Sequence, residues 1–305
     1  MTKLIATIPS PHVTQMYRIA INPYVNMVRF NTGVRTPYTP KNTLERIIDF
    51  LNEKKLWIDL KCRQLRVVKW AEPTYGDIEL NHEVSVNLPA TIVFRDGSKS
   101  EIREIEGVKI FVDPPPQHAV GAGQAINIIG NNLRIKGFFT DEDCEYIEAA
   151  KELGLHDYML SFVQGQNDVD ALRARDKDAR VIAKIESLTG LQFVQNINAN
   201  QDITLMAARD DLYTNIGADK WNIFNALRTI IAKNPNAIVA SRILTSFVSG
   251  GEVSIGDLSD LYLMYKFGYR TFMLSDSLCF RETTFNQAID VYKQFLRFIE
   301  KGVNV

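Results

Sequence analysis

Val181-Ile182-Ala183-Lys184-Ile185-Glu186-Ser187 is an apolar run that ends in a Lys and a Glu two residues apart. Its β-branched and small residues read as a strand buried on both faces. On a strand, positions i and i+2 share a side, so Lys184 and Glu186 project together from its C-terminal end. Buried ions are rare unless they are paired or used. Two readings stay open from these residues alone: a plain strand-end salt bridge, or a functional pair.

Working outward, strand-like and helix-like segments alternate. Toward the N-terminus lie strands Lys3–Thr7, Val25–Asn31 and Leu56–Lys61, with helices Thr14–Tyr24 and Thr43–Lys54 between them. Asn42 is the expected cap of the second helix, with Glu45 three residues on. The rhythm then breaks into short β-rich runs, with Arg95-Asp96-Gly97-Ser98 as a hairpin turn. It resumes at Thr140, which caps a helix through Leu153 with Asp143 three residues along, and Gly154 stops it. Strands Tyr158–Phe162, Val181–Ile185, Ile203–Ala207, Ala237–Ala240 and Arg270–Leu274 follow. Each is trailed by a helix, the last being Thr283–Lys301.

Eight such units argue for a parallel sheet closed as a (β/α)8 TIM barrel, with a small all-β domain inserted after strand three. The expected division is 1–66 and 129–305 for the barrel and 67–128 for the insertion. An open doubly wound sheet is disfavoured because Thr7-Ile8-Pro9-Ser10-Pro11, not a Gly-rich turn, follows the first strand.

Composition narrows the function classes. The 305 residues are 46% hydrophobic and 23% charged, with a net charge of -1, which gives no electrostatic case for nucleic acid or a membrane surface. No apolar run approaches the roughly 20 residues that span a bilayer. Cys62, Cys144 and Cys279 form neither a disulfide framework nor a metal-ligand spacing, which suits a reducing cytoplasm. His12, His82, His118 and His156 are widely separated and read as solvated or packing residues, as do Trp57, Trp70 and Trp221 as packing residues. Cys62 between Lys61 and Arg63 reads as a small strand-end residue.

In a barrel of this kind function gathers where strands run into the following loops. There the sequence offers Arg29 and Asn31, Asp59 and Lys61 with Arg66 beyond, Lys184 and Glu186, Arg209-Asp210-Asp211, and Ser241-Arg242. Carboxylates are hard oxygen ligands for Mg²⁺ or Mn²⁺, and Arg is the fork-shaped donor for phosphate or carboxylate. Each residue alone could be a surface charge at a loop start. Five strand ends with the same chemistry point instead to a divalent metal and an anionic substrate.

These segments resemble the pyruvate kinase family, in order and over nearly the whole chain. Met27-Val28-Arg29-Phe30-Asn31 resembles its Val-Ala-Arg-Leu-Asn, and Asp59 through Arg66 its Asp-Thr-Lys-Gly-Pro-Glu-Ile-Arg. Leu160-Ser161-Phe162-Val163 resembles Leu-Ser-Phe-Val, and Met206 through Leu212 resembles Met-Val-Ala-Arg-Gly-Asp-Leu. Ile182-Ala183-Lys184-Ile185-Glu186 resembles the family's active-site strand. The β insertion falls where the family carries its lid.

The resemblance implies that Glu186 and Asp211 hold the cation and that Lys184 faces the transferring phosphoryl group and the enolate. Arg29 would grip the phosphate, with Arg66 on the nucleotide side. Ser241 stands where a Thr is implicated in protonating the enolate. Asn31, Asp59, Lys61 and Asp210 complete the expected substrate-binding set. Cytoplasmic phosphoryl transfer between phosphoenolpyruvate and ADP, through a pyruvate enolate, is the implied activity; a homo-oligomer remains open.

The sequence departs from that pattern. The insertion is short, and no counterpart of the family's C-terminal regulatory domain is expected. Gly33, Leu60 and Gln64 dismantle the potassium site, so no K⁺ requirement is expected. Asp210 replaces a Gly whose N–H receives the substrate carboxylate, and should oppose an anion there by a few kcal/mol at worst. Gln164 replaces an Arg, and Asp276-Ser277-Leu278 replaces Gly-Glu-Thr. These changes keep two alternatives in play: a metal-dependent aldolase, lyase or decarboxylase on a pyruvate-like keto acid, or a degenerate paralogue with a binding or regulatory role.

Overall fold

The computed structural model describes residues 1–51, 53–69, 77–197 and 202–301. The chain forms two compact units, Met1–Leu60 with Glu145–Val305, and Lys61–Cys144. Trp70 lies outside the described residues, as does the end of the helix expected over 190–199.

The first unit opens with β1 (Lys3–Ile8), α1 (Gln15–Ile21), β2 (Met27–Asn31), α2 (Pro40–Ile48) and β3 (Lys55–Leu60). Thr39, not Asn42, caps α2: its hydroxyl accepts from the Asn42 N–H, and Pro40 takes the first helical position, where no N–H is needed. The second unit contributes β4 (Asp77–Glu79), β5 (Val84–Val93), β6 (Lys99–Glu106), β7 (Lys109–Asp113) and β8 (Asn127–Ile135). The chain continues through α3 (Asp141–Glu152), β9 (Asp157–Leu160), α4 (Gln166–Arg175), β10 (Arg180–Ile185), α5 (Leu188–Asn196) and β11 (Ile203–Ala208). It closes with α6 (Arg209–Asn215), α7 (Asn222–Lys233), β12 (Ile238–Ala240), α8 (Ile255–Phe267), β13 (Thr271–Leu274), α9 (Asp276–Cys279) and α10 (Glu282–Glu300).

In the first unit eight strands close into a parallel barrel in the order β1-β13-β12-β11-β10-β9-β3-β2. Register places Lys184 beside Met206, and Asn31 beside Asp59. The interior is filled by Ile5, Trp57, Met159, Ile182, Met206, Ile238 and Met273, contributed by strand after strand. The barrel is therefore a packed core with polar residues left to its mouth.

The second unit is a five-stranded antiparallel sheet in the order β4-β7-β6-β5-β8. It has its own core, which includes Ile78, Ile92, Phe94, Ile102, Ile110 and Ile128. The alternating burial along β6 matches the period of a sheet with one packed face. The expected hairpin joins β5 to β6, with Gly97 in the left-handed conformation at φ 86°. This unit extends past the expected 67–128 on both sides: β8 continues its pairing with β5 to Ile135, and before residue 67 Arg66 bridges to Ala125. Thr140 and Asp143 cap α3 reciprocally, the Asp143 N–H donating to the Thr140 hydroxyl at 3.1 Å and the Thr140 N–H to the Asp143 carboxylate at 2.9 Å. Asp143 also accepts the backbone N–H groups of Lys61 and Cys62, although burial pushes its carboxyl upward.

Two expectations about packing side chains change. Trp221 is 78% exposed. His156 is not a lone histidine, since its Nδ1 lies 2.8 Å from Asp176. No helix among the described residues is long and apolar enough to cross a membrane.

Candidate active site

At the C-terminal mouth of the barrel the strand ends bring one charged cluster together. Lys184 is buried, and its Nζ donates to the Ser161 hydroxyl at 2.8 Å and to Asp59 at 3.3 Å, with Glu186 at 3.4 Å. Burial alone would lower the Lys184 ammonium, but Asp59 and Glu186 outweigh it and raise its pKa above the ordinary value. The opening pair of the sequence is thus a salt bridge, embedded in a larger network.

Glu186 sits just past β10, where Phe162 donates its N–H to the carboxylate at 2.7 Å. Phe162 takes a left-handed φ of 52°, an uncommon conformation for a residue with a bulky side chain. Ser187 caps α5 through the Gly190 N–H, and a Cβ at Gly190 would stand 2.8 Å from the Val163 carbonyl. The backbone on both sides of Glu186 is therefore held closely. Burial pushes the Glu186 carboxyl up to about 7; Lys184 works against this shift, whereas Asp211 and Asp59 add to it.

Across the mouth, Arg29 and Asp59 form a buried pair. The Arg29 Nε and Nη2 both lie 2.7 Å from one Asp59 oxygen, and Nη1 donates to the Thr7 hydroxyl at 3.0 Å. Nη1 also lies 2.5 Å from Asp276, which follows β13, and Asn31 donates to the other Asp276 oxygen at 3.0 Å. Burial alone would raise the Asp276 carboxyl, but Arg29 and Asn31 hold it below the usual range. Burial likewise opposes the Arg29 charge, and Asp276 and Asp59 overcome it and raise its pKa.

The other expected residues divide. Asp210 and Asp211 lie in the first turn of α6 rather than in a loop. Asp211 acts through space on Lys184 and Glu186. Asp210 is exposed, and Arg242 donates to it at 2.5 Å, so its charge has a partner. Ser241 follows β12 at φ 65°, with Arg242 at 56° and Leu244 at 53°. Such left-handed backbone costs about 1–3 kcal/mol per residue and persists only where its surroundings impose it. Arg209 imposes part of it, donating to the Ser241 carbonyl at 2.6 Å while its fork grips both Asp260 oxygens. Lys61 and Arg66 belong to the second unit, where Lys61 pairs with Glu142 and Arg66 donates to the Gly123 carbonyl at 2.7 Å.

The residues missed in the sequence are Thr7, Ser161 and Asp276. Each stands at or just past a strand end, the same signal that marked Arg29 and Glu186.

Around this mouth Lys184 interacts electrostatically with Asp59, Glu186, Arg29 and Asp211, and Arg29 with Asp276 and Asp59. A carboxyl raised by burial, with a second carboxylate adding to the shift, is relieved by a hard cation, so the donor set of Glu186 and Asp211 fits Mg²⁺ or Mn²⁺.

The model of the pyruvate kinase barrel domain matches residues 75–276. The chain belongs to the pyruvate kinase family. It is 26% identical over 286 residues to the pyruvate kinase of Thermoplasma acidophilum, covering 85% of this chain and 51% of that protein. It is also 26% identical over 291 residues to the pyruvate kinase of Methanocaldococcus jannaschii, covering 90% of this chain and 64% of that one. This pyruvate kinase family chain thus spans about half to two thirds of the length of these relatives. Among solved structures, Cryptosporidium parvum pyruvate kinase superposes with a TM-score of 0.75 over 94% of this chain and 68% of its own, at 18% identity. That similarity speaks for the fold of this family member.

Proposed function

We propose that this chain is a divalent-metal-dependent enzyme of enolpyruvate chemistry, moving a phosphoryl group between phosphoenolpyruvate and a nucleoside diphosphate such as ADP. The observation that carries this reading is the Lys184 ammonium, raised in pKa and held by Ser161, Asp59 and Glu186 at the barrel mouth. Glu186 and Asp211 would hold Mg²⁺ or Mn²⁺. When bound, that cation supplies neutralisation of negative charge on the substrate oxygens.

In the direction of nucleotide phosphorylation, the bond between phosphorus and the enol oxygen breaks. A bond from phosphorus to a terminal oxygen of the diphosphate forms. Negative charge is left on the enol oxygen, where Lys184 stabilises it without reorganising, because its position is set beforehand. A proton then reaches the methylene carbon, with the Ser241 hydroxyl as the proposed relay. Arg29 orients the substrate anion, Asp59 orients Arg29, and Asn31 holds the Asp276 carboxylate beside it. A coupled assay with phosphoenolpyruvate, ADP and Mn²⁺ tests this: ATP formation that Lys184→Met removes supports it, and no ATP overturns it.

One observation favours a second reading. Asp276 already holds Arg29, which suits a pyruvate-like keto acid without phosphate or nucleotide. Deuterium exchange into the methyl of pyruvate, with Mn²⁺ and no nucleotide, would then be seen by NMR. If both assays are silent and Mn²⁺ does not bind through Glu186, a non-catalytic role is left.

A further inference from the structure

We infer that Asp276 is a specificity-determining carboxylate: it occupies on Arg29 the place of a substrate anion, so a phosphate must displace it to bind there. This rests on the reading of Arg29 as the partner of the substrate anion.

The donor count of the guanidinium makes the case. Arginine has five N–H donors in a fixed fork, and a two-pronged grip on phosphate uses two of them side by side. In this structure Nε and Nη2 face Asp59, and Nη1 reaches both Thr7 and Asp276. Those four contacts leave at most one N–H for an incoming anion. A bidentate phosphate therefore needs one protein partner to withdraw.

The two carboxylates are not equally able to do so. The Asp59 side chain is 2% exposed and lies on β3, where Lys184 and Ser161 also donate to it. The Asp276 side chain is 32% exposed and lies past the end of β13, in the first residue of a four-residue helix. Besides Arg29 its named donor is Asn31. Asp276 is the partner that can swing out. Its charge also counts: an ionised Asp276 repels an incoming substrate anion at the place where Arg29 would attract it.

The consequence is selectivity by competition. A substrate with a phosphate and a carboxylate must outcompete Asp276, whereas a keto acid with one carboxylate need not.

The test is titration calorimetry in metal-free buffer with EDTA, with phosphoenolpyruvate and, separately, pyruvate as probes. Asp276→Asn keeps the shape and removes the charge; Asp276→Ala removes the contact and guards against a fault particular to Asn. Thermal melts confirm that each variant is folded. Both variants should bind phosphoenolpyruvate about tenfold more tightly than the unaltered protein, the size of one charge-assisted contact. Pyruvate affinity should stay within about twofold, since it is the phosphate of the substrate, and not its carboxylate, that is proposed to sit on Arg29. Adding Arg29→Lys to Asp276→Asn should erase the gain.

Unchanged or weaker phosphoenolpyruvate binding in both variants overturns the inference. So does an equal gain for pyruvate, or a gain that survives Arg29→Lys. These readouts need neither metal nor turnover, so they are separate from the assay of the proposed reaction.

Discussion

The two ends of the barrel carry similar side chains and put them to opposite use. At the N-terminal end, Asp157 receives the fork of Arg180 with both contacts at 2.6 Å, and Lys55 at 2.7 Å. Beside it Asp176 accepts from the Tyr158 hydroxyl at 2.9 Å and the Asp178 N–H at 3.1 Å, with His156 at 2.8 Å. His156, Asp176 and Asp178 offer atoms close enough to share an ion, yet the Asp176 oxygens already have these partners. At the C-terminal mouth, Glu186 is buried within reach of Asp211 and Asp59 as well as Lys184, and its carboxyl is pushed up to about 7. Matched charge makes a fastening. Mismatched charge, held rigidly, makes a place for something else to bind.

The largest break in this contrast should come from Lys184→Met. Loss of one preorganised donor commonly costs about 10²–10³ in kcat, and Lys184 is proposed to face the charge that develops on the enol oxygen. The coupled assay should show a loss of this size with KM changed far less. An activity within about threefold of the unaltered protein would remove Lys184 from the chemistry.

Next comes a pair of carboxylate-to-amide substitutions at opposite ends. Glu186→Gln should abolish the rise in melting temperature on adding Mn²⁺, yet stabilise the metal-free protein at pH 8. The sign follows from the raised carboxyl. Below the ordinary Glu value the group is protonated whether the chain is folded or not. Above it the unfolded chain releases the proton first, so folding stability falls as pH rises toward 7 and stays low beyond. The penalty is on the order of 3 kcal/mol at full ionisation, and Gln removes it.

Asp157→Asn should do the reverse, lowering stability by about 1–2 kcal/mol through the loss of charge-assisted contacts. It should leave the Mn²⁺ shift intact. Denaturant melts at pH 5.5 and 8 separate the two ends, and stability changes of the same sign would show that the contrast is wrong.

Much of this was readable from residues. The apolar β runs with charges at their ends gave the strands, and those ends supplied Arg29, Asp59, Lys184 and Glu186. What stayed hidden depends on contacts distant in sequence. Asp276 meets Arg29 across 247 positions, and looked only like a substitution for a small residue. Arg209 looked like one more strand-end cation, but Asp260 turns it into a brace for the backbone at Ser241. Asp210 looked like a charge opposing substrate, until Arg242 came beside it. In α2 the missed cap was a local error, since Pro40 already marked the first helical position.

The smallest expected effect bears on the same contrast from the acid side. Asp276 belongs to the mouth, yet its carboxyl is shifted in the direction of a fastening, because Arg29 and Asn31 outweigh its burial. A carboxyl held below its unfolded value stabilises the fold above that value, and the contribution is lost as pH falls through the depressed one. Being partly open to solvent, it is worth about 1 kcal/mol or less. The melting temperature of the unaltered protein should therefore exceed that of Asp276→Asn by a degree or two near pH 6, roughly the shift such an energy gives in a domain this size. The gap should close below the ordinary Asp range. Glu186 drives stability the other way with pH, so subtracting the Asp276→Asn curve from that of the unaltered protein isolates the one carboxylate. A gap that widens as pH falls would mean that Asp276 is held up rather than down, and that Arg29 is free to take an anion.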